Sequence, residues 1–183
     1  MNNAHGGTLI NLYAEADQLL IEKEKAKSNA SWDLTARQMF DIELLLNGAF
    51  SPLTGYLSQA DYNGVVENMR LADGTLWPMP INLDITDDFA APLSSGDEIT
   101  LRDPEGVVIA NLTIGDIWTP DKNLEAEKVF GTTDTTHPGV CTLLNETNPV
   151  YVSGSLVGVT PPLHYDFGQY RRDPHELRDH FKE

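Results

Sequence analysis

The chain has 183 residues, with 12 lysines and arginines against 28 aspartates and glutamates, a formal net charge of −16. That balance argues against nucleic acid and against anionic membrane surfaces as partners, because phosphate contacts need clustered basic side chains. Apolar residues make up 40% of the chain, enough to bury a core in one domain or two small ones, which excludes global disorder.

The elements run helix-rich first, strand-rich second and helical again at the end. Residues Glu15 to Lys27 read as a helix, with Leu19, Leu20 and Lys23 on one face and the charged run Glu22–Lys25 facing solvent. The next helix is punctuated at both ends. Thr35 can cap it, Gln38 completes a capping box, and Asn47-Gly48 supplies a left-handed stop. Between these, Met39, Ile42 and Leu46 recur at helical spacing. Ser51-Pro52-Leu53-Thr54-Gly55 is a turn. A third helix starts at Ser58, with Asp61 in its first turn and Tyr62, Val65, Val66 and Met69 on its apolar face.

After the Asp73-Gly74 turn the period changes to two. Trp77, Met79, Ile81, Leu83 and Ile85 alternate with Pro78, Pro80, Asn82 and Asp84, a half-buried strand whose prolines place it at an edge or bulge. Ile99 and Leu101 begin another strand. Asp103-Pro104-Glu105-Gly106 turns it into the alternating run Val108, Ala110, Leu112, Ile114, which reads as a hairpin. Asp121 to Phe130 is a short helix closed by Gly131, and Pro149–Val152 is a last strand, with Gly154 and Gly158 flanking Ser155-Leu156-Val157. In the final segment Asp173 caps a helix, Pro174 suits its first position and Glu176 its third, and Leu177 and Phe181 share a face. The sequence stops at Phe181-Lys182-Glu183 without a C-cap, the pattern expected of a chain cut at a domain boundary.

No catalytic constellation assembles from these residues. His175 and His180 are five apart, so they do not stack as an i, i+4 zinc pair would, and they read as surface residues. His137 lies in a loop, Thr135–Gly139, with no nucleophile motif beside it. There is no G-x-x-x-x-G-K-[ST] and no G-x-G-x-x-G, and Gly131-Thr132-Thr133-Asp134 is better explained as a helix stop and turn than as an anion cradle. Asp84, Asp87 and Asp88 could serve acid/base chemistry or a hard cation, but they end a strand and read as solvated. Arg70, Arg171 and Arg172 stand out in so acidic a chain, and Arg171-Arg172 suits pairing with carboxylates of another domain. The single cysteine, Cys141, allows no intrachain disulfide and no cysteine-rich metal site, which fits a reducing cytoplasm. The start, MNNAHGGTLINLY, has no basic, apolar export pattern, and no apolar run approaches the roughly 20 residues that span a bilayer.

Several long strings, in order, resemble the amino-terminal domain of ATP sulfurylases (sulfate adenylyltransferases). They are Ser31–Gln38 running into Asp41–Leu57, then Met69–Ile81, then Leu101–Gly106, then Val129–Asp134 with His137–Val140, and last His164–Phe167 with Tyr170-Arg171-Arg172. The resemblance runs from His5-Gly6-Gly7 to the end. It implies an α+β fold, a PUA-like mixed β pseudobarrel with flanking helices over residues 1–168, followed at 169–183 by the start of a linker helix toward a catalytic domain.

In the family that catalytic domain joins ATP, with Mg, to sulfate, giving adenylyl sulfate and diphosphate. It carries a Q-x-R-N-P-x-H-x-x-H stretch and a later H-x-G-H-type stretch. This sequence contains neither, so no catalytic or cofactor-binding residue carries over, and none of its residues is assigned to a metal. The resemblance further implies a cytoplasmic location and a homo-oligomeric parent. The expected partner is the catalytic domain, with Tyr165, Arg171 and Arg172 as interdomain contacts. The alternative is a free-standing PUA-like module that binds a ligand or partner, for which the charge disfavours RNA. A third reading is an enzyme with an unrecognised site.

Overall fold

The computed structural model describes residues 2–182. Hydrogen bonding orders the strands β1-β4-β5-β6-β2, where β2 is the short strand Gly55–Tyr56, with β3 beside β6, in a mixed sheet accompanied by seven α-helices among the described residues. The chain divides into two compact units with interleaved segments. One comprises residues 1–55, 98–113 and 155–183, the other 56–97 and 114–154, so the long strands β5 (Val108–Trp118) and β6 (Val150–Gly158) lend residues to both.

In the first unit, α1 spans Ala16–Lys25 and β1 Ala30–Asp33. Helix α2, Ala36–Leu46, carries the expected capping box, with the Thr35 side chain accepting from the Gln38 amide. It ends at Asn47, and Gly48 follows with φ +85°. An added Cβ at Gly48 would overlap the carbonyl oxygen of Ile10, so glycine is required there for space as well as for conformation. Strand β4, Glu98–Arg102, pairs antiparallel with the first part of β5 through the Asp103–Gly106 turn, the hairpin the sequence announces. Strand β1 pairs parallel with β4, Ala30 opposite Ile99 through Asp33 opposite Arg102. Ile42, Leu45, Leu46, Ile99, Leu101, Ile109 and Leu112 are among the buried residues of this unit's core.

The face of α1 departs from expectation. Leu20 and Ile21 are exposed and Lys23 faces solvent, while the charged Glu22 is only 4% exposed. The reason lies in β5, where Ile109, Ala110, Asn111 and Leu112 are buried in succession. Asn111 Nδ2 donates to the backbone oxygen of Glu22 at 2.9 Å and to its Oε2 at 2.8 Å. Asn111 Oδ1 accepts from Thr100 Oγ1 at 2.8 Å. Lys25 bridges Glu22 at 3.1 Å and Glu98 at 2.8 Å, so the buried carboxylate has both a charge partner and a neutral donor. A polar clasp, and no apolar stripe, holds the C-terminal half of α1 on its strands.

In the second unit, α3 spans Gln59–Asn68, with Ser58 as its cap and Tyr62, Val65 and Val66 buried. Met69 adopts the left-handed conformation that closes α3 and is exposed, so it leaves the apolar face assigned to it. The expected strand from Trp77 is strand only at β3, Leu83–Ile85, paired antiparallel with Val150–Val152 of β6. Pro78 and Pro80 have no N–H to offer a ladder, and Met79 turns outward. Helix α4 covers Asp87–Ala90. The region from Asp121 to Phe130 splits into α5, Lys122–Glu125, and a π-helical turn, Ala126–Phe130, closed by Gly131 in the left-handed region. The loop expected around His137 opens a further helix, α6, Pro138–Asn145. Ala126, Val140 and Leu143 form a buried cluster, with Phe130 packed against it.

Candidate functional site at the exposed C-terminal segment

The feature that sets one surface apart lies in the first unit, where the chain leaves β6 and reaches α7, Pro174–His180. His164 Nε2 lies 2.7 Å from Glu43 Oε1, tethering the segment to α2. Beyond this tether Leu163, Tyr165, Phe167 and Tyr170 are each between 71% and 81% exposed. Phe167 sits at φ 51°, a left-handed backbone that non-glycine residues adopt infrequently, and leads into a 3-10 turn, Gly168–Tyr170. Four large apolar and aromatic side chains thus lie exposed in one short stretch, a kind of patch that monomeric proteins seldom leave in water.

The three site residues named from sequence fall on this segment in different circumstances. Arg171 is engaged locally, its Nε donating to the Asp166 carbonyl at 3.2 Å and its Nη2 to the Asp166 carboxylate at 3.0 Å. Arg172 is exposed and has no ion-pair or hydrogen-bond partner among the described residues. Both border an open cleft of about 570 Å3 together with Phe40, Glu43 and Leu44 of α2. Tyr165 is exposed but does not line that cleft. Chemically, the surface offers aromatic faces, one uncommitted guanidinium and several carboxylates. It suits binding and holds no nucleophile–base pair.

The other candidates have structural employment. The Asp84 carboxylate is buried and accepts from the Asn148 backbone N–H at 2.7 Å and from its side-chain amide at 3.1 Å. Asp87 and Asp88 sit in the first turn of α4, where acidic side chains favour the helix dipole. Arg70 locks its own turn through the Gly74 carbonyl at 2.9 Å. His137 is the N-cap residue of α6, its ring 5.3 Å from that of Phe130. His175 pairs with Asp179 at 3.4 Å, and His180 lies against Phe181. Among the described residues no group of three histidine, cysteine, aspartate or glutamate side chains is placed to hold a metal ion. Nor is any helix long and apolar enough to cross a membrane.

One constellation escaped the sequence reading. In the second unit the buried Glu125 Oε2 accepts from Tyr62 Oη at 2.9 Å and Tyr151 Oη at 3.2 Å. Both rings meet Trp118, with centroids 5.6 and 5.9 Å away. Burial first, then the charge of Glu125, pushes the Tyr62 phenol well above its ordinary value. Nothing in the spacing of residues 62, 118, 125 and 151 announces their meeting.

Comparison with known proteins places these features. A family model described as a PUA-like domain matches residues 2–161. The chain is 43% identical to a sulfate adenylyltransferase of Eremothecium gossypii, over 99% of this chain and 36% of that protein. It is 48% identical to one of Schizosaccharomyces pombe, over 87% of this chain and 33% of that protein. A solved structure, described as a hexameric APS kinase from Thiobacillus denitrificans, superposes with a TM-score of 0.78 at 32% identity, over 98% of this chain and 31% of that one. The chain thus spans about a third of the length of the curated relatives it matches. With the family model matched across most of its length, the chain belongs to the PUA-like domain family.

Proposed function

We propose that the chain is the non-catalytic N-terminal domain of a sulfate adenylyltransferase, the enzyme that joins ATP and sulfate into adenylyl sulfate and diphosphate. The observation that carries this reading is the match of 99% of the chain to about a third of a protein of that name. The sequence supports it by lacking both Q-x-R-N-P and H-x-G-H, the strings that in the family hold sulfate and the phosphates of ATP. Positioning a phosphoryl group requires converging cations, and a chain of net charge −16 without those strings is suited to another task.

That task is support. Residues 1–168 form the PUA-like body and 169–183 begin the linker. The exposed segment bearing Tyr165, Arg171 and Arg172 packs against the catalytic part of the same enzyme, which holds ATP, Mg and sulfate. The parent is a homo-oligomer, a reading encouraged by the hexamer named for the structural relative, and it works in the cytoplasm. The test is release of diphosphate from ATP with sulfate or molybdate, together with the source gene read past codon 183. The 183-residue chain is expected to be inactive, with Q-x-R-N-P-x-H-x-x-H encoded downstream. Turnover by this chain alone, or a stop codon after Glu183, overturns the proposal.

A further inference from the structure

Helix α2 carries apolar side chains on two opposite faces. Gln38, Ile42, Leu45 and Leu46 are buried along one. At about 100° of turn per residue, Phe40 and Leu44 fall on the other, where Leu44 is half-buried and Phe40 is 64% exposed. Large apolar side chains on more than one side of a helix mark one that is covered on more than one side. The uncovered face of α2 lines the cleft of about 570 Å3 in the first unit. The rest of that lining comes from Tyr170, 75% exposed, and from the residues that lead into α7.

The charged groups of the cleft are engaged locally, with one exception. Glu43 meets His164 at 2.7 Å, Arg171 meets Asp166 at 3.0 Å, and Asp173 and Glu176 close the capping box of α7. Among the described residues Arg172 alone in this lining has neither ion pair nor hydrogen bond. What the cleft leaves unsatisfied is apolar surface and one guanidinium. Their complement is a large apolar side chain accompanied by a carboxylate.

A second copy of this chain would bring a further net charge of −16 to the same face, which opposes self-association. A continuation of the same chain is within reach. The curated relatives are about three times as long as the stretch they share with this chain, and Asp173 and Glu176 set the cleft beside the first turn of α7. The seven residues of α7 rise about 10 Å, so on the reading proposed above the catalytic part begins close to the cleft.

We propose that this cleft seats a segment of the catalytic part of the same chain, an apolar side chain entering beside Phe40, Leu44 and Tyr170 while a carboxylate pairs with Arg172. The site rests on the supporting role proposed above and gives that role a partner of stated chemistry.

The test is hydroxyl-radical footprinting of the 183-residue chain and of the full-length product of its gene. Phe40 and Tyr170 should react readily in the 183-residue chain and at least about fivefold more slowly in the full-length protein, as entry into an interface core requires. Leu20, exposed on α1 outside the cleft, should change less than about twofold. In thermal melts Phe40→Ala and Arg172→Glu should each lower the full-length midpoint by at least about 2 °C and leave that of the 183-residue chain nearly unchanged. Equal reactivity of Phe40 in the two proteins overturns the proposal. So do equal losses of midpoint in both, or protection in the 183-residue chain that grows with concentration, which would seat a second copy there. A stop codon after Glu183 overturns the supporting role and this site together. A full-length protein that carries the catalytic strings and leaves Phe40 reactive overturns this site alone.

Discussion

Replacing Asn111 with alanine tests whether a polar clasp, and no apolar stripe, holds α1. Asn111 is buried and makes three hydrogen bonds: one to the Glu22 carboxylate, one to the Glu22 carbonyl and one from Thr100. The bond to the carboxylate is worth about 1.5–3 kcal/mol and each of the neutral two about 1 kcal/mol. The expected loss is therefore about 3–5 kcal/mol, a large share of the roughly 5–15 kcal/mol that stabilises a typical domain. For a chain of this size it corresponds to a fall in Tm of roughly 6–20 °C. Urea denaturation followed by far-UV circular dichroism measures it, with unchanged slope and a lower midpoint.

The near-isosteric Asn111→Asp sharpens the test. It sets a second carboxylate against Glu22 and should be worse than alanine at pH 7. Its excess penalty should shrink as the pH falls and one carboxylate of the pair takes up a proton. A loss below about 1 kcal/mol for Asn111→Ala, or an Asp variant no worse than the Ala variant at pH 7, would refute the reasoning.

Three further outcomes are expected. Gly48→Ala should destabilise by about 2–4 kcal/mol in thermal or urea melts, since it combines a left-handed backbone with overlap on the Ile10 carbonyl. Thr35→Ala should cost about 1 kcal/mol through the lost cap of α2, and Thr35→Ser should restore most of it. Tyr62→Phe and Tyr151→Phe should each cost about 1–3 kcal/mol, and the double variant more than their sum, because Glu125 Oε2 then loses both donors. The raised phenol of Tyr62 adds a pH signature. Its stabilising contribution is fully present below the ordinary value of 10.0 and is lost as the pH rises above it, so wild type should lose stability in alkali more steeply than Tyr62→Phe.

Residue types singled out Tyr165, Arg171 and Arg172 in a strongly acidic chain, and the structure exposes all three. The sequence could not show that Arg171 is engaged with Asp166 while Arg172 has no such partner, or that Phe40 of α2 joins the cleft. The cavity of about 660 Å3 between the N-terminal segment and α7 was invisible for a related reason. It needs Asn11 and Asn47 to meet a helix that starts at residue 174, and hydrophobic periodicity carries no information about such distances.

By itself the sequence determined the elements whose stabilising contacts are local. The Thr35–Gln38 box, the Asn47-Gly48 stop, the Asp103–Gly106 hairpin and the Asp173–Glu176 box each close within four residues. For these, the chemistry of three or four neighbours is the whole argument. Tertiary structure decided the rest. It buried Glu22 because Asn111, 89 positions away, offers it a donor. It made a strand of Ala30–Asp33 only because β4 lies alongside, and it denied strand geometry to the proline-bearing run before Leu83. It also gathered Tyr62, Trp118, Glu125 and Tyr151 into one network. A polar or charged residue is buried only where a distant partner compensates its lost hydration, and that partner is fixed by the fold.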